Sequence, residues 1–243
     1  MTGLILAVAL SAVAAPSGSF EDLFEDRTLR LDYYHSGTRD EESISLDAFR
    51  LEPGPWAGSK IHMIDPLGWG ECRVLVTDAE SGRTLFTRTY STLFGEWRTT
   101  DEAATGLRRT IHESALMPLP KRPATMSLAS RRRDSSFHEI FSARLDPASH
   151  LIERTGPPAG ARVLDVEVHG PAAEKIDLLF LGDGYSAAEG EKFRRDVRRF
   201  TERLFSFAPF RENRERFNVR AGEIPAPGSG VDEPRKGIWR GNL

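Results

Sequence analysis

KIDLLFLGDGYSAAEGEKFRRDVRRF, Lys175 to Phe200, opens as an apolar strand, passes through a glycine turn and continues as a helix. Ile176 to Leu181 is an unbroken apolar run, which predicts a strand covered on both faces. From about Ala187 to Phe207 the apolar residues Phe193, Val197, Phe200, Leu204 and Phe207 recur at helical spacing, one amphipathic stripe. Burying each of them contributes roughly 1.5–3 kcal/mol, so the helix is expected to pack on the sheet. Pro209 closes it, and RFNVRAGEI returns as a strand, which makes a βαβ unit.

The turn between strand and helix, Gly182-Asp183-Gly184-Tyr185-Ser186, admits four readings. Gly182-x-Gly184-x-x-Ala187 fits a dinucleotide cradle. That reading puts Asp183 against a pyrophosphate and drops the required acidic residue inside the helix. Ser186 in Gly184-Tyr185-Ser186-Ala187-Ala188 approximates a nucleophile turn, which needs a later histidine, and none follows His169. Asp183 and Ser186 lie beside a strand end where an ion binds in some α/β folds, although Gly184-Tyr185 interrupts the usual spacing. Last, Ser186 and Glu189 form a capping box, which contributes about 1 kcal/mol and needs no ligand. It leaves Asp183 and Tyr185 unexplained.

Upstream, from about Arg27 to Leu145, the texture is that of short strands. TLRLDYYH alternates Leu29, Leu31 and Tyr33 on one face. CRVLVTDAESGRTLFTRTY is a hairpin turning at Asp78–Gly82. TMSLAS and FHEIFSARL add strands, the latter with Phe137, Phe141, Ala143 and Leu145 on one side, while Ser91 to Ala115 holds a short helix or a long loop. Frequent Gly and Pro between strands predict an antiparallel β-sandwich over residues 20–153. RTGPPAGAR, residues 154–162, is the expected linker to an α/β unit over 163–243.

The 243 residues carry a net charge of −3 with 28% charged and 39% hydrophobic residues, a globular balance that argues against nucleic acid as partner. Arg131-Arg132-Arg133 is the one dense basic cluster, read as a solvated turn in preference to a phosphate site. Residues 1–19 resemble a secretory signal: Leu4 to Val13 is too short to span a bilayer and Ala12-Val13-Ala14-Ala15 offers a cleavage site. No Lys or Arg precedes that core. The mature protein is therefore expected outside the cytoplasm, secreted or periplasmic, without a membrane span. Cys72 is the single cysteine, so no intrachain disulfide forms and a buried thiol is expected. Trp56, Trp69 and Trp97 are candidates for an exposed aromatic patch, although core packing is the expected fate of each.

IDLLFLGDGYSAAEGEKFRRDVRRFTERLFSFAPFRENRERFNV followed by GSGVDEPRKG resembles the opening of the catalytic domain in the IgA-peptidase family of zinc metallopeptidases. The shared features are Gly182 to Tyr185, Phe193 with Asp196, Pro209-Phe210, and Phe217-Asn218-Val219. LRLDYYHSG, FGEWRTT, PLPKRP and ARLDP resemble that family's N-terminal β-sandwich. The resemblance implies zinc-assisted hydrolysis of a protein or peptide substrate, with H-E-x-x-H as ligands and base. This chain has no such motif. Its histidines are His35, His62, His112, His138, His150 and His169, and His138-Glu139 is followed by Ser142 where a second histidine belongs. Zinc is thus expected for the full-length enzyme and not for this chain, which reads as the front portion of a longer peptidase, a fragment or an altered end, inactive alone. Asp183 and Tyr185 are the candidates for supporting the site from behind the ligands, and Gly228 to Asp232 for a substrate-side loop; turn hydrogen bonds for Asp183, packing for Tyr185 and a plain surface turn for Gly228 to Asp232 are the preferred readings. The rival functions are a non-catalytic extracellular binding module and a truncated serine hydrolase with Ser186 as nucleophile.

Overall fold

A computed structural model describes residues 18–154, 156 and 161–241. All but the last two residues of the expected signal, and the middle of the expected linker, lie outside the described residues. The chain divides into two compact units, Met1–Thr155 and Gly156–Leu243. It is rich in strands, arranged as three sheets among the described residues.

The first unit contains β1 (Phe24–Gly37), β2 (Glu42–Leu51), β3 (Cys72–Asp78), β4 (Thr84–Tyr90), β5 (Arg109–Pro120), β6 (Ala124–Arg131), β7 (Phe137–Leu145) and β8 (Ile152–Glu153). These form two four-stranded sheets, ordered β5-β1-β2-β8 and β4-β3-β6-β7. The period-two residues of both sheets meet in one core: Leu29, Leu31 and Tyr33 from β1, Val74 and Val76 from β3, Met117 from β5, Met126 and Leu128 from β6. Pairing is antiparallel except at β8, which lies parallel to β2 through Phe49–Ile152 and Arg50–Glu153. The chain reaches that edge after leaving β7 in the other sheet, so no hairpin dictates the direction.

Three one-residue bulges reset side-chain facing in this unit, one of them at Leu85 opposite Val76-Thr77. Opposite Asp32-Tyr33, β2 carries Asp47 as an extra residue. Opposite Leu128-Ala129, β7 carries Ile140 as an extra residue. The bulge at Ile140 moves Phe137 off the face expected from strict alternation. Its ring lies instead under the guanidiniums of Arg73 and Arg131, each 4.4 Å from the centroid.

The Ser91–Ala115 stretch resolves into α2 (Leu93–Trp97), α3 (Asp101–Ala104) and the start of β5; α1 (Phe20–Leu23) precedes β1. Thr92 and Thr100 cap α2 and α3 through their side-chain oxygens. Trp56 and Trp97 are buried, whereas Trp69 is 82% exposed, so the three tryptophans form no common surface patch. Cys72 is buried, and burial pushes its thiol up to about 12.

The second unit contains β9 (Arg162–Glu167), β10 (Ile176–Leu181), α4 (Gly190–Leu204) and β11 (Phe217–Glu223). The sheet order is β10-β11-β9, with β10 parallel to β11 and β9 antiparallel to it. Helix α4 therefore connects two adjacent parallel strands. It packs against Leu178, Phe180, Val219 and Ala221 on one face of the sheet.

Two expectations are corrected here. The helix face on the sheet is the row Phe193, Val197, Thr201 and Phe205, all buried, while Phe200 and Phe207 are half exposed. Successive steps of four rotate that row by 40° each, so Phe200 falls on its outer edge, and Phe207 lies beyond the helix, which ends at Leu204 and not at Phe207 as expected. Arginines lie over both exposed rings, Arg199 on Phe200 and Arg203 on Phe207. Likewise β10 is covered on one face only among the described residues: Leu179 is 54% and Leu181 66% exposed. The uncovered face also carries an ionic ladder in which Arg220 donates to Asp165 (3.0 Å) and Asp177 (2.5 Å).

Phe193→Ala is expected to lower the stability of the second unit by about 3–5 kcal/mol, and Phe200→Ala by less than about 1 kcal/mol. Denaturant unfolding of the two variants checks the phase of α4.

Candidate functional site

The glycine turn lies where β10 ends and α4 begins, at the C-terminal end of a parallel strand, the usual location of sites in α/β units. Gly184 has φ +70°, the left-handed region that L-residues resist. A Cβ there would also lie 2.4 Å from the Gly230 carbonyl oxygen. The turn is stitched to the 226–230 segment by Gly230 N–H donating to Gly184 O and Ala226 N–H donating to Tyr185 O, both 2.8 Å. Ser229 Oγ adds a bond to Glu189 at 3.0 Å. The Gly228–Asp232 segment is thus tied to the turn.

Tyr185 faces inward. Its ring lies 5.2 Å from that of Phe193, and its hydroxyl donates to Asp196 at 3.0 Å. Partial burial and the bond to Asp196 push the Tyr185 hydroxyl up, and the same bond holds the Asp196 carboxyl below its usual range. A Cβ on Gly182 would meet Phe193 at 2.9 Å and Tyr185 at 3.2 Å. Gly182, Tyr185, Phe193 and Asp196 therefore form one packed cluster. Asn218, fully buried in β11, accepts from the N–H groups of His169 (2.8 Å) and Gly170 (3.3 Å) and donates to Gly170 O and Asp177.

Asp183 differs. It is exposed and makes no hydrogen bond or ion pair among the described residues. Glu189 folds back on Ser186, accepting from its N–H (3.0 Å) and its Oγ (2.9 Å). The capping box of Ser186 and Glu189 forms on the 3-10 turn Ala187–Glu189 that leads into α4, and among the described residues no imidazole is bonded to the Ser186 hydroxyl. The cavity beneath the turn is about 20 Å3, room for a single water.

Among the described residues the donors present do not fit a zinc centre. His169 is the only histidine of the second unit; its Nε2 lies 3.4 Å from Glu167, whose oxygens are taken by Arg214. In the first unit, Asp32, Asp47 and His112 bring one ligand atom each within 4.8 Å of one another. Asp32 is already held there by Arg30 (2.7 Å) and Arg50 (2.6 Å). The group exists because the β2 bulge turns Asp47 toward His112. His138 and Glu139 are neighbours in β7 and, by the alternation of a strand, point to opposite faces.

A cluster with no local signature occupies the first unit. His35 is buried, with Nδ1 3.0 Å from Glu113 and Nε2 3.0 Å from Glu42, and its ring is stacked on Phe94 at 3.9 Å. Glu113 also accepts from the Phe94 N–H at 2.7 Å. Carboxylates only accept, so both ring nitrogens must carry protons. Burial opposes that charge, but the bonds to Glu113 and Glu42 outweigh it and hold the His35 pKa above its usual value. Burial likewise opposes ionisation of Glu42 and Glu113, yet His35 holds both below the usual range. Sequence spacing gave no hint, because Glu42 and Glu113 lie 7 and 78 residues from His35.

Residues 19–142 match the family model described as Peptidase M64 N-terminus, and residues 164–242 match the one described as IgA Peptidase M64. The two matches, in chain order, fall on the two compact units and place the chain among the metallopeptidases. Within that class the chain belongs to the IgA Peptidase M64 family. No curated protein matches it.

Gly184→Ala is expected to destabilise the second unit by about 2–4 kcal/mol, through strain and backbone overlap. Asp183→Asn is expected to stay within about 0.5 kcal/mol of the parent. Thermal melts of both variants check the contrast. A second outcome concerns pH. The stability that His35 contributes is complete below the ordinary imidazole pKa of about 6.5 and is lost as pH rises through its higher folded value. The contribution of Glu42 and Glu113 is present above the ordinary carboxylate range and is lost as pH falls through their lower folded values. Melting temperatures from pH 6 upward are expected to fall in the parent and to be flatter in His35→Gln.

Proposed function

We propose that this chain forms the front portion of an exported zinc metallopeptidase and cleaves no peptide bond alone. In this reading the two sheets of the first unit make a β-sandwich domain, 20–153. Residues 154–162 link it to the opening βαβ of the peptidase domain, 163–243. The observation that carries the proposal is a mismatch within the second unit. Its turn, helix and strand have the family's features, yet the 243 residues contain no H-E-x-x-H and only one imidazole downstream of the linker. In this reading the ligand-bearing helix is not among these residues. Zinc held there would polarise the scissile carbonyl and lower the pKa of the attacking water.

The chain's own residues have narrower roles. Tyr185 and Asp196 hold the turn. Asp183 is the one polar side chain of the turn that makes no hydrogen bond or ion pair among the described residues, and it supports the centre from behind the metal ligands. Protein or peptide is the substrate class. Export rests on the signal-like residues 1–19, and no helix of the described residues is long and apolar enough to cross a membrane. A serine-hydrolase reading is weaker, because Ser186 Oγ donates to Glu189 and no histidine follows His169.

Incubating the purified chain with zinc and a quenched-fluorescence peptide library tests the proposal. The expected result is hydrolysis no faster than with chelator, and zinc far below one equivalent by elemental analysis. Stoichiometric zinc with chelator-sensitive cleavage would overturn it.

A further inference from the structure

The basic cluster Arg131-Arg132-Arg133 lies at an exposed turn, as expected, with Arg132 and Arg133 in solvent. It forms one wall of a cleft of about 930 Å3 in the first unit. The β1–β2 turn contributes Arg39 and Asp40, β2 contributes Glu42, and α2 with its C-cap contributes Gly95 and Arg98. Five guanidiniums face three carboxylates in this lining, a local positive excess in a chain whose net charge is −3.

The guanidiniums fall into two groups. Arg98 is tethered, donating to Arg39 O at 2.8 Å and lying 3.2 Å from Glu42. Arg131 is tethered too, donating to the carbonyls of Gly68, Gly70 and Ser135. By contrast, Arg39, Arg132 and Arg133 are exposed, and their guanidiniums make no hydrogen bond or ion pair among the described residues. Asp134, next in the chain, turns its carboxylate to the N–H and Oγ of Ser136 (3.0 and 2.6 Å) and reaches Arg132 only through a longer-range attraction.

Two of the three cleft carboxylates make no side-chain hydrogen bond among the described residues: Asp40, exposed at the rim beside Arg39, and Glu71 within, which Arg98 attracts only at longer range. Glu71 is half-buried against Gly95, where a Cβ would lie 1.8 Å from its Oε2, and its side chain makes no hydrogen bond among the described residues. Burial holds its carboxyl above the ordinary range. The cleft therefore offers three donor forks at its rim and one acceptor within.

We propose that this cleft binds an acidic segment of a protein chain. Guanidinium forks match carboxylates in bidentate geometry. Backbone N–H groups of an extended segment supply the donors that Glu71 lacks. A uniformly charged polyanion is a poorer fit, because Asp40, Glu42 and Glu71 interrupt the positive surface. The cleft supplies protein recognition whether or not the chain takes part in hydrolysis, so the binding measurement is independent of the peptidase reading.

Fluorescence anisotropy of the full chain with a labelled Glu-Gly-Glu-Ser repeat peptide tests it. Saturable binding is expected, weakening as salt rises past the point where the Debye length falls below about 8 Å. Arg132→Glu with Arg133→Glu is expected to weaken binding by about 10-fold or more. Arg39→Glu, on a different turn, reads the same cleft should the double variant not fold. Arg195→Glu with Arg198→Glu, exposed on α4, is the matched charge reversal and should leave binding unchanged. Undetectable binding, equal weakening by the α4 control, or no effect of the cleft variants overturns the proposal. So does tighter binding of a sulfated oligosaccharide than of the acidic peptide, which would assign the cleft to a glycan instead.

Discussion

An amphipathic helix covers one face of a three-stranded sheet and no more, and the second unit is arranged around that limit. Every large buried apolar side chain of this unit, from Phe193 and Val197 to Phe205, Phe217 and Val219, lies on the α4 side. The other face has a different composition. Arg220 bridges Asp165 and Asp177 there, beside exposed Val163, Leu179 and Leu181. Partly exposed pairs of that kind contribute about 0–1 kcal/mol each. The packing under α4 therefore carries the unit, and it also fixes the turn. Phe193 anchors both Gly182 and Tyr185, so the same residue that seats the helix sets the geometry at its start.

The first unit solves a different problem. Its core needs no ions, yet His35 is buried between two carboxylates. Such triads are poor sources of net stability, since desolvation offsets most of the attraction. What the triad does provide is attachment. Glu113 holds both His35 and the Phe94 N–H, and the Phe94 ring stacks on the imidazole. Glu42 continues the chain of charges to Arg98 at the end of α2. The helical excursion between β4 and β5 is thereby fastened to β1 and β2. That excursion in turn supplies one side of the arginine-lined cleft.

Features set by neighbours in sequence were legible, and features set by distant partners were not. The β3–β4 hairpin, the capping box of Ser186 and Glu189 on the 3-10 turn that leads into α4, and the burial of Leu29, Leu31 and Tyr33 all follow from spacings of a few residues. The phase of α4 did not, because Phe200 and Phe193 lie within a small angle of each other and only the sheet decides which side of Val197 is covered. Bulges at Asp47 and Ile140 were invisible for a related reason. They are properties of a strand pair, and they explain both the misplaced Phe137 and the approach of Asp47 to His112. The unbroken apolar run of β10 is a further case. Composition predicted two covered faces, whereas in the described structure α4 covers only one of them.

The residues that carry the family likeness have a physical meaning that separates fold from chemistry. Gly182, Gly184, Tyr185, Phe193 and Asp196 contact one another or the segment packed against them, and Asn218 pins the 168–170 bend to β11. Each is accounted for by packing, backbone conformation or a satisfied hydrogen bond. A likeness built on such residues identifies an architecture, because any chain with that turn and that helix needs them whatever happens next to it. Hydrolysis needs something else, namely donors that converge on one cation with no competing partner. The carboxylates and imidazoles closest to that description, at Glu167–His169 and at Asp32–Asp47–His112, are occupied by Arg214 and by Arg30 with Arg50. Membership of a peptidase family therefore says what these residues build, and fold alone does not assign them a chemistry.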